Sequence, residues 1–209
     1  MVDKKGLLDM QKKLGMFTGI SKESNVLSWS EIKKRLKGKS EKELIDLLKE
    51  CYKQSPEVKI KLSFAVSENK EESSKVISVL KDRLKREFWT VKKNGAFRKP
   101  DLRNARKIVT LAKNSLDDPD MIIDIMVDHF EHGVGFTAKY GDMWEGYYGS
   151  IENMFQKTCD YIVKNKEKID HGPAVERIDK TIENSPVIGY GFYDNIVDMR
   201  DELKQRLEA

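Results

Sequence analysis

The strongest constraint on this chain is its punctuation. Ser28 precedes Glu31 and Ser40 precedes Glu43 in the S-x-x-E spacing of a capping box, while Ser55-Pro56 and Asp118-Pro119 place a capping side chain before a proline. Each signal is followed by apolar residues at helical spacing, such as Leu44, Ile45, Leu47, Leu48 and Cys51. Alternation of period two is nearly absent; Val187-Ile188 is the one strand-like scrap. A chain so written is expected to be all-α.

The elements follow in order. Residues 3–14 can form a short helix through Leu7, Leu8, Met10 and Leu14, and a second short helix opens at Ser28. After Ser55-Pro56, Val58, Leu62, Ala65 and Val66 are expected to face inward. Residues 70–89 read as a helix burying Val76, Ile77, Leu80, Leu84 and Phe88. Residues 90–100 read as a loop, with Asn94-Gly95 inside it and Pro100 at its end. Asp101 is expected to cap the next helix, and Asp118-Pro119 opens one that reaches about Tyr140 before Gly141-Asp142 breaks it. Residues 144–167, a shorter helix from Gly172-Pro173, and a last one with Asp194 as its N-cap complete about ten helices.

At an offset of 63, Ile45, Leu48, Ser55-Pro56-Glu57 and Val58 echo Ile108, Leu111, Asp118-Pro119-Asp120 and Met121. Helix, capped proline turn, helix is the unit of stacked antiparallel hairpins, so the expected architecture is HEAT-like rather than a simple four-helix bundle. Residues 1–27 read as an N-terminal extension and 28–209 as a single helical domain, with 90–100 as the candidate subdomain break.

Charge is split along the chain. Residues 1–100 hold 25 Lys/Arg against 14 Asp/Glu, so +11; residues 101–209 hold 14 against 21, so −7. The densest basic stretch, residues 81–107, has eleven cations against Asp82, Glu87 and Asp101, with Phe88, Trp89 and Phe97 interleaved. Arg98, Lys99, Arg103, Arg106 and Lys107 are the candidate residues for an anionic partner, either an acidic protein surface or a nucleic acid. A protein partner is expected, nucleic acid is the alternative, and oligomeric state is left open.

A second constellation lies beyond residue 120. Asp120, Asp124, Asp128 and His132 step by four along one helical face, which makes Asp124, Asp128 and His132 conceivable metal ligands, with Asp142, Glu145 and Glu152 as donors from the next helix. Glu131, Thr137, Tyr140, Asp142, Tyr148 and Glu152 form a candidate pocket, with Trp144 beside it, which could serve a metal-assisted hydrolase or hold a small molecule. The commoner outcome for such residues is a solvated acidic face and a packed aromatic corner. No HExxH, GxSxG, Walker loop or dinucleotide fingerprint is present, so no cofactor is expected and an enzyme is the less favoured class. Cys51 and Cys159 lack CxxC partners, and no apolar run approaches the ~18 residues of a membrane span; a cytoplasmic protein that does not engage membranes is expected.

Four segments carry a resemblance: SEKELIDLLKECYKQSPEVK, GAFRKPDLRNARKIV, DHFEHGVGFTAKYGDMWEGYYGSIENMF and VIGYGFYDNIVDM. Together, from about Trp29 to Leu203, they resemble an uncharacterised bacterial family, domain of unknown function 6155. The most specific positions are Gly133, Phe136, Thr137, Tyr140, Gly141, Asp142, Tyr148, Ser150 and Glu152, then Gly189, Gly191, Phe192 and Asp194. The resemblance implies an all-helical intracellular protein and no particular activity. Where the family continues in a Gly-Asp-Ile-Asp-Glu-Pro-like run, this chain has Gly141-Asp142-Met143-Trp144-Glu145-Gly146, which removes a second aspartate from any metal set.

Overall fold

A computed structural model of the chain describes residues 26–187 and 189–209. The short helix expected over 3–14 lies outside them, as does Ile188 of the strand-like scrap. Among the described residues are nine α-helices, one 3-10 turn and no strand beyond a single β-bridge. The chain divides into two compact units, Met1–Cys51 and Tyr52–Ala209.

In the first unit, α1 (Trp29–Leu36) and α2 (Glu41–Gln54, whose last turn enters the second unit) start on the two capping boxes. The Ser28 amide donates to Glu31 at 2.9 Å and the Ser40 amide to Glu43 at 2.8 Å, while each serine hydroxyl accepts the glutamate's own amide at 3.4 Å. Neither helix buries a residue, and Ile45, Leu47 and Leu48 are exposed. The apolar stripe of α2 is real in its spacing but does not line a core. Period tells which face is apolar; burial depends on what packs on it.

The second unit holds α3 (Pro56–Ala65), α4 (Lys70–Trp89), α5 (Leu102–Lys113), α6 (Pro119–Tyr140), α7 (Glu145–Lys164), a 3-10 turn (Lys166–Lys168), α8 (Gly172–Glu183) and α9 (Phe192–Glu208). Ser55, Asn69, Asp101 and Asp118 each accept an orphan amide of the first turn that follows. On α3 the inward face is Ile60 and Phe64; Val58 and Leu62 are half-buried, and Ala65 and Val66 are exposed. The expected register was off because Ile60 and Phe64, one turn apart, form the ridge available to α4.

Helix α6 packs against α4, α5, α7 and α8, which explains why it buries more residues than any other described helix, its acidic stripe apart. Stacked hairpins are compatible with this packing. Phe130 of α6 stacks on Phe155 of α7 with ring centroids 4.0 Å apart. Gly133 lets the two backbones close: a Cβ there would lie 2.6 Å from Ile151 Cδ1, and the Tyr147 hydroxyl donates to the Gly133 carbonyl at 2.7 Å.

The chain enters α9 through three consecutive positive-φ residues, Gly189, Tyr190 and Gly191. That reversal starts the helix at Phe192, with Gly191 at the N-cap and no side-chain cap. Asp194, expected as the cap, lies in the first turn instead, where a carboxylate still suits the helix dipole.

Candidate functional site

The basic face is built on the segment read as a loop. Val91 and Phe97 form an antiparallel bridge flanked by Lys92 N–H to Ala96 carbonyl (2.7 Å) and Arg98 N–H to Thr90 carbonyl (2.9 Å). The pair is therefore of the non-hydrogen-bonded type, with side chains side by side. Gly95, at φ +81, closes the turn. This small hairpin carries Lys92, Lys93 and Arg98, and the chain continues through Lys99 into the head of α5, which carries Arg103, Arg106 and Lys107.

Aromatic rings support the hairpin from behind. Phe97 lies on Tyr140 at 4.6 Å between centroids and meets Phe136 edge-on at 5.5 Å; Trp89 leans on the same two rings. Lys139 sits over Trp89 at 5.6 Å and Lys99 over Trp144 at 3.8 Å. Phe97 and Trp144 keep 41% and 37% of their surface open.

Several cations of the basic stretch are engaged within the fold. Lys81 is drawn to Asp124 (2.6 Å) and Asp128 (3.3 Å), Arg83 reaches Glu57 at 3.8 Å, and Arg106 is hydrogen-bonded to Ser150. Lys92, Lys93, Arg98, Arg103 and Lys107 have no ion-pair partner among the described residues. Burial, then the like charge of Asp101, holds the Glu87 carboxyl above its usual range, with Arg98, Arg83 and Arg86 acting the other way.

The six candidate pocket residues do not all converge: Thr137, Asp142 and Tyr148 come together, and the other three lie elsewhere. Tyr140 belongs to the ring cluster behind the hairpin. Thr137 is buried in α6. The Tyr148 hydroxyl donates to Asp142 at 2.6 Å and accepts from the Met143 amide at 2.8 Å. Burial, then that bond to Asp142, raises the phenol above its ordinary value. Glu152 accepts from Asn195 of α9 at 2.9 Å. Glu131 lies on another side of α6, against α8, held by Arg177.

Arg177 is the residue the sequence reading missed. Its guanidinium donates to Asp124 at 2.6 Å, to Asp128, and to both Glu131 oxygens at 2.8 and 2.7 Å. With Lys81 it holds the acidic stripe of α6, along a groove of about 640 Å³. The conceivable metal ligands are thus spoken for: Asp124 and Asp128 face cations, and His132 Nδ1 accepts the Trp89 indole N–H at 3.2 Å. Among the described residues no group of three or more His, Cys, Asp or Glu side chains is arranged to hold a metal ion, and no helix is long and apolar enough to cross a membrane. Burial pushes the Cys159 thiol up to about 12, far from a reactive thiolate.

His129, read only as a neighbour of the acidic stripe, is fully buried against Phe88, and neither ring nitrogen has a hydrogen-bond partner. Burial, reinforced by the charges of His132 and Arg106, lowers its pKa to about 3. The unfolded chain binds that proton below about 6.5 and the folded chain does not. Stability is therefore full above about pH 6.5 and falls by about 1.4 kcal/mol per pH unit toward pH 3. Between pH 7 and pH 5, urea unfolding of the wild type is expected to lose about 2 kcal/mol more than that of His129→Leu. Equal losses would show that His129 does not stay neutral in the fold.

No curated protein and no solved structure shows significant similarity to the chain. One family profile matches residues 27–200, which takes in α1 to α8, the hairpin and most of α9. The chain therefore belongs to the Family of unknown function (DUF6155).

Proposed function

We propose that the chain is a non-enzymatic binding module that docks an anionic partner on the face formed by the 90–98 hairpin and the head of α5. The observation that carries this reading is a run of cations with no ion-pair partner among the described residues, Lys92, Lys93, Arg98 and Arg103, close along the chain to the open ring of Phe97. Like charges held together raise the local potential, which steers an anionic partner and speeds encounter. The acidic stripe of α6, Asp124, Asp128 and Glu131, is engaged by Arg177 and Lys81. The reading carries with it a reducing, cytoplasmic setting, in which the exposed Cys51 remains a free thiol.

The test is titration of the full chain with labelled poly-glutamate and with inorganic polyphosphate at several salt concentrations. Arg98→Ala with Arg103→Ala spares Arg106, which is tied to Ser150. The double variant is expected to bind about tenfold more weakly at moderate salt and to show a salt slope smaller by about 2. Wild-type affinity and slope in that variant would overturn the reading.

A further inference from the structure

We infer that the anionic partner is a single-stranded nucleic acid, with bases stacking on Phe97 and phosphates lying against Lys92, Lys93, Arg98 and Arg103. This rests on the anionic docking just proposed and adds what the rings contribute. An acidic peptide without aromatic residues would satisfy the cations and leave the aromatic surface without a matching partner. A duplex offers base edges and phosphates, with its base faces already stacked. An unpaired strand alone offers both charges and exposed π-faces.

The geometry of the face suits that chemistry. Phe97 is 41% exposed, yet its ring is braced by Tyr140 at 4.6 Å and by Phe136 at 5.5 Å. The ring is thus presented on a fixed support. Its bridge partner Val91 is 57% exposed, so the apolar surface widens beside it. Trp144, 37% exposed, is a second ring, and Lys99 over it at 3.8 Å brings a cation to ring level. A phosphate linking two stacked bases lies near that level too. Lysines at both Trp89 and Trp144 repeat the pairing of ring and cation across the face.

The decisive experiment is fluorescence anisotropy of the full chain with a labelled oligothymidylate of about fifteen nucleotides, the matching duplex, and labelled poly-glutamate. The single strand is expected to bind at least tenfold more tightly than either comparator at equal salt. Phe97→Leu retains an apolar contact with Tyr140 and Phe136; it should weaken single-strand binding about tenfold with the salt slope unchanged, and Phe97→Tyr should retain binding. Lys92→Ala with Lys93→Ala should instead lower the slope, by about 1.4. A single strand bound no better than poly-glutamate, or unaffected by Phe97→Leu, overturns the inference. If poly-glutamate binding is meanwhile lost in Arg98→Ala with Arg103→Ala, the anionic docking reading survives alone. If no probe binds, both fall.

Discussion

Gly189→Ala is expected to destabilise the fold by about 3 kcal/mol, a fall of roughly 6–12 °C in Tm for a chain of this size. Two costs combine. Gly189 sits at φ +91, where a Cβ strains the backbone by itself. That Cβ would also lie 2.4 Å from Cζ of Tyr148. The ring has little freedom to yield. It is 2% exposed, packed at a tilt on Phe192 with ring centroids 4.9 Å apart, and tied at its hydroxyl to both Asp142 and the Met143 amide. Gly191 provides the control: its φ is +81, but nothing stands within 4 Å of a Cβ there, so Gly191→Ala should cost only the backbone part, about 1 kcal/mol. In a Tyr148→Ala background the Gly189→Ala cost should drop toward the same figure, a coupling of about 2 kcal/mol. Equal thermal shifts for Gly189→Ala and Gly191→Ala would show that the Tyr148 contact is not rigid.

What was legible in the sequence was local. Ser28, Ser55, Asp101 and Asp118 cap the helices they were expected to cap, because capping joins atoms only two or three residues apart. The 3.6 period of residues 70–89 placed Ile77, Leu80, Leu84 and Phe88 in the core, where they lie. What was not legible depends on which faces meet. The stripe of α2 has the right spacing and stays exposed; the inward face of α3 is shifted; Asp194 loses the cap to a turn of three positive-φ residues. The hairpin was signalled by Asn94-Gly95, but its single bridge leaves no alternating pattern to read. The site residues divide the same way. The basic stretch could be counted. That Lys81 would be drawn off to α6, and that Arg177 would close over Asp124, Asp128 and Glu131, could not, because those partners are 43 to 53 residues apart. A lone arginine in an ordinary amphipathic helix carries no mark of such a role.

Arg177→Ala is expected to cost about 2–4 kcal/mol, because it removes one member of a partly buried charge network and strands the others. The guanidinium is about one-third exposed, and Asp128 is 12% exposed at its side chain. Burial works against the charge of Arg177, yet the hydrogen bonds and charges of Glu131 and Asp128 outweigh it and raise the group above its ordinary value. Three carboxylates around one fork are stable only while the fork is present. Lys81 reaches Asp124 and Asp128 from the α4 side but makes no ion pair with Glu131. Arg177→Lys should recover little, since one ammonium nitrogen cannot span the carboxylates that the planar fork reaches from Nε, Nη1 and Nη2. Arg177→Met with Asp128→Asn should cost clearly less than the sum of the two single changes, because the second change removes the most buried of the three anions, which the first leaves with Lys81 alone at 3.3 Å. Urea unfolding of the four proteins closes the cycle. Strict additivity would mean that Asp128 is solvated well enough to stand alone, and α8 would then be held to α6 by Ile178 and Ile182, both buried, rather than by this charge cluster.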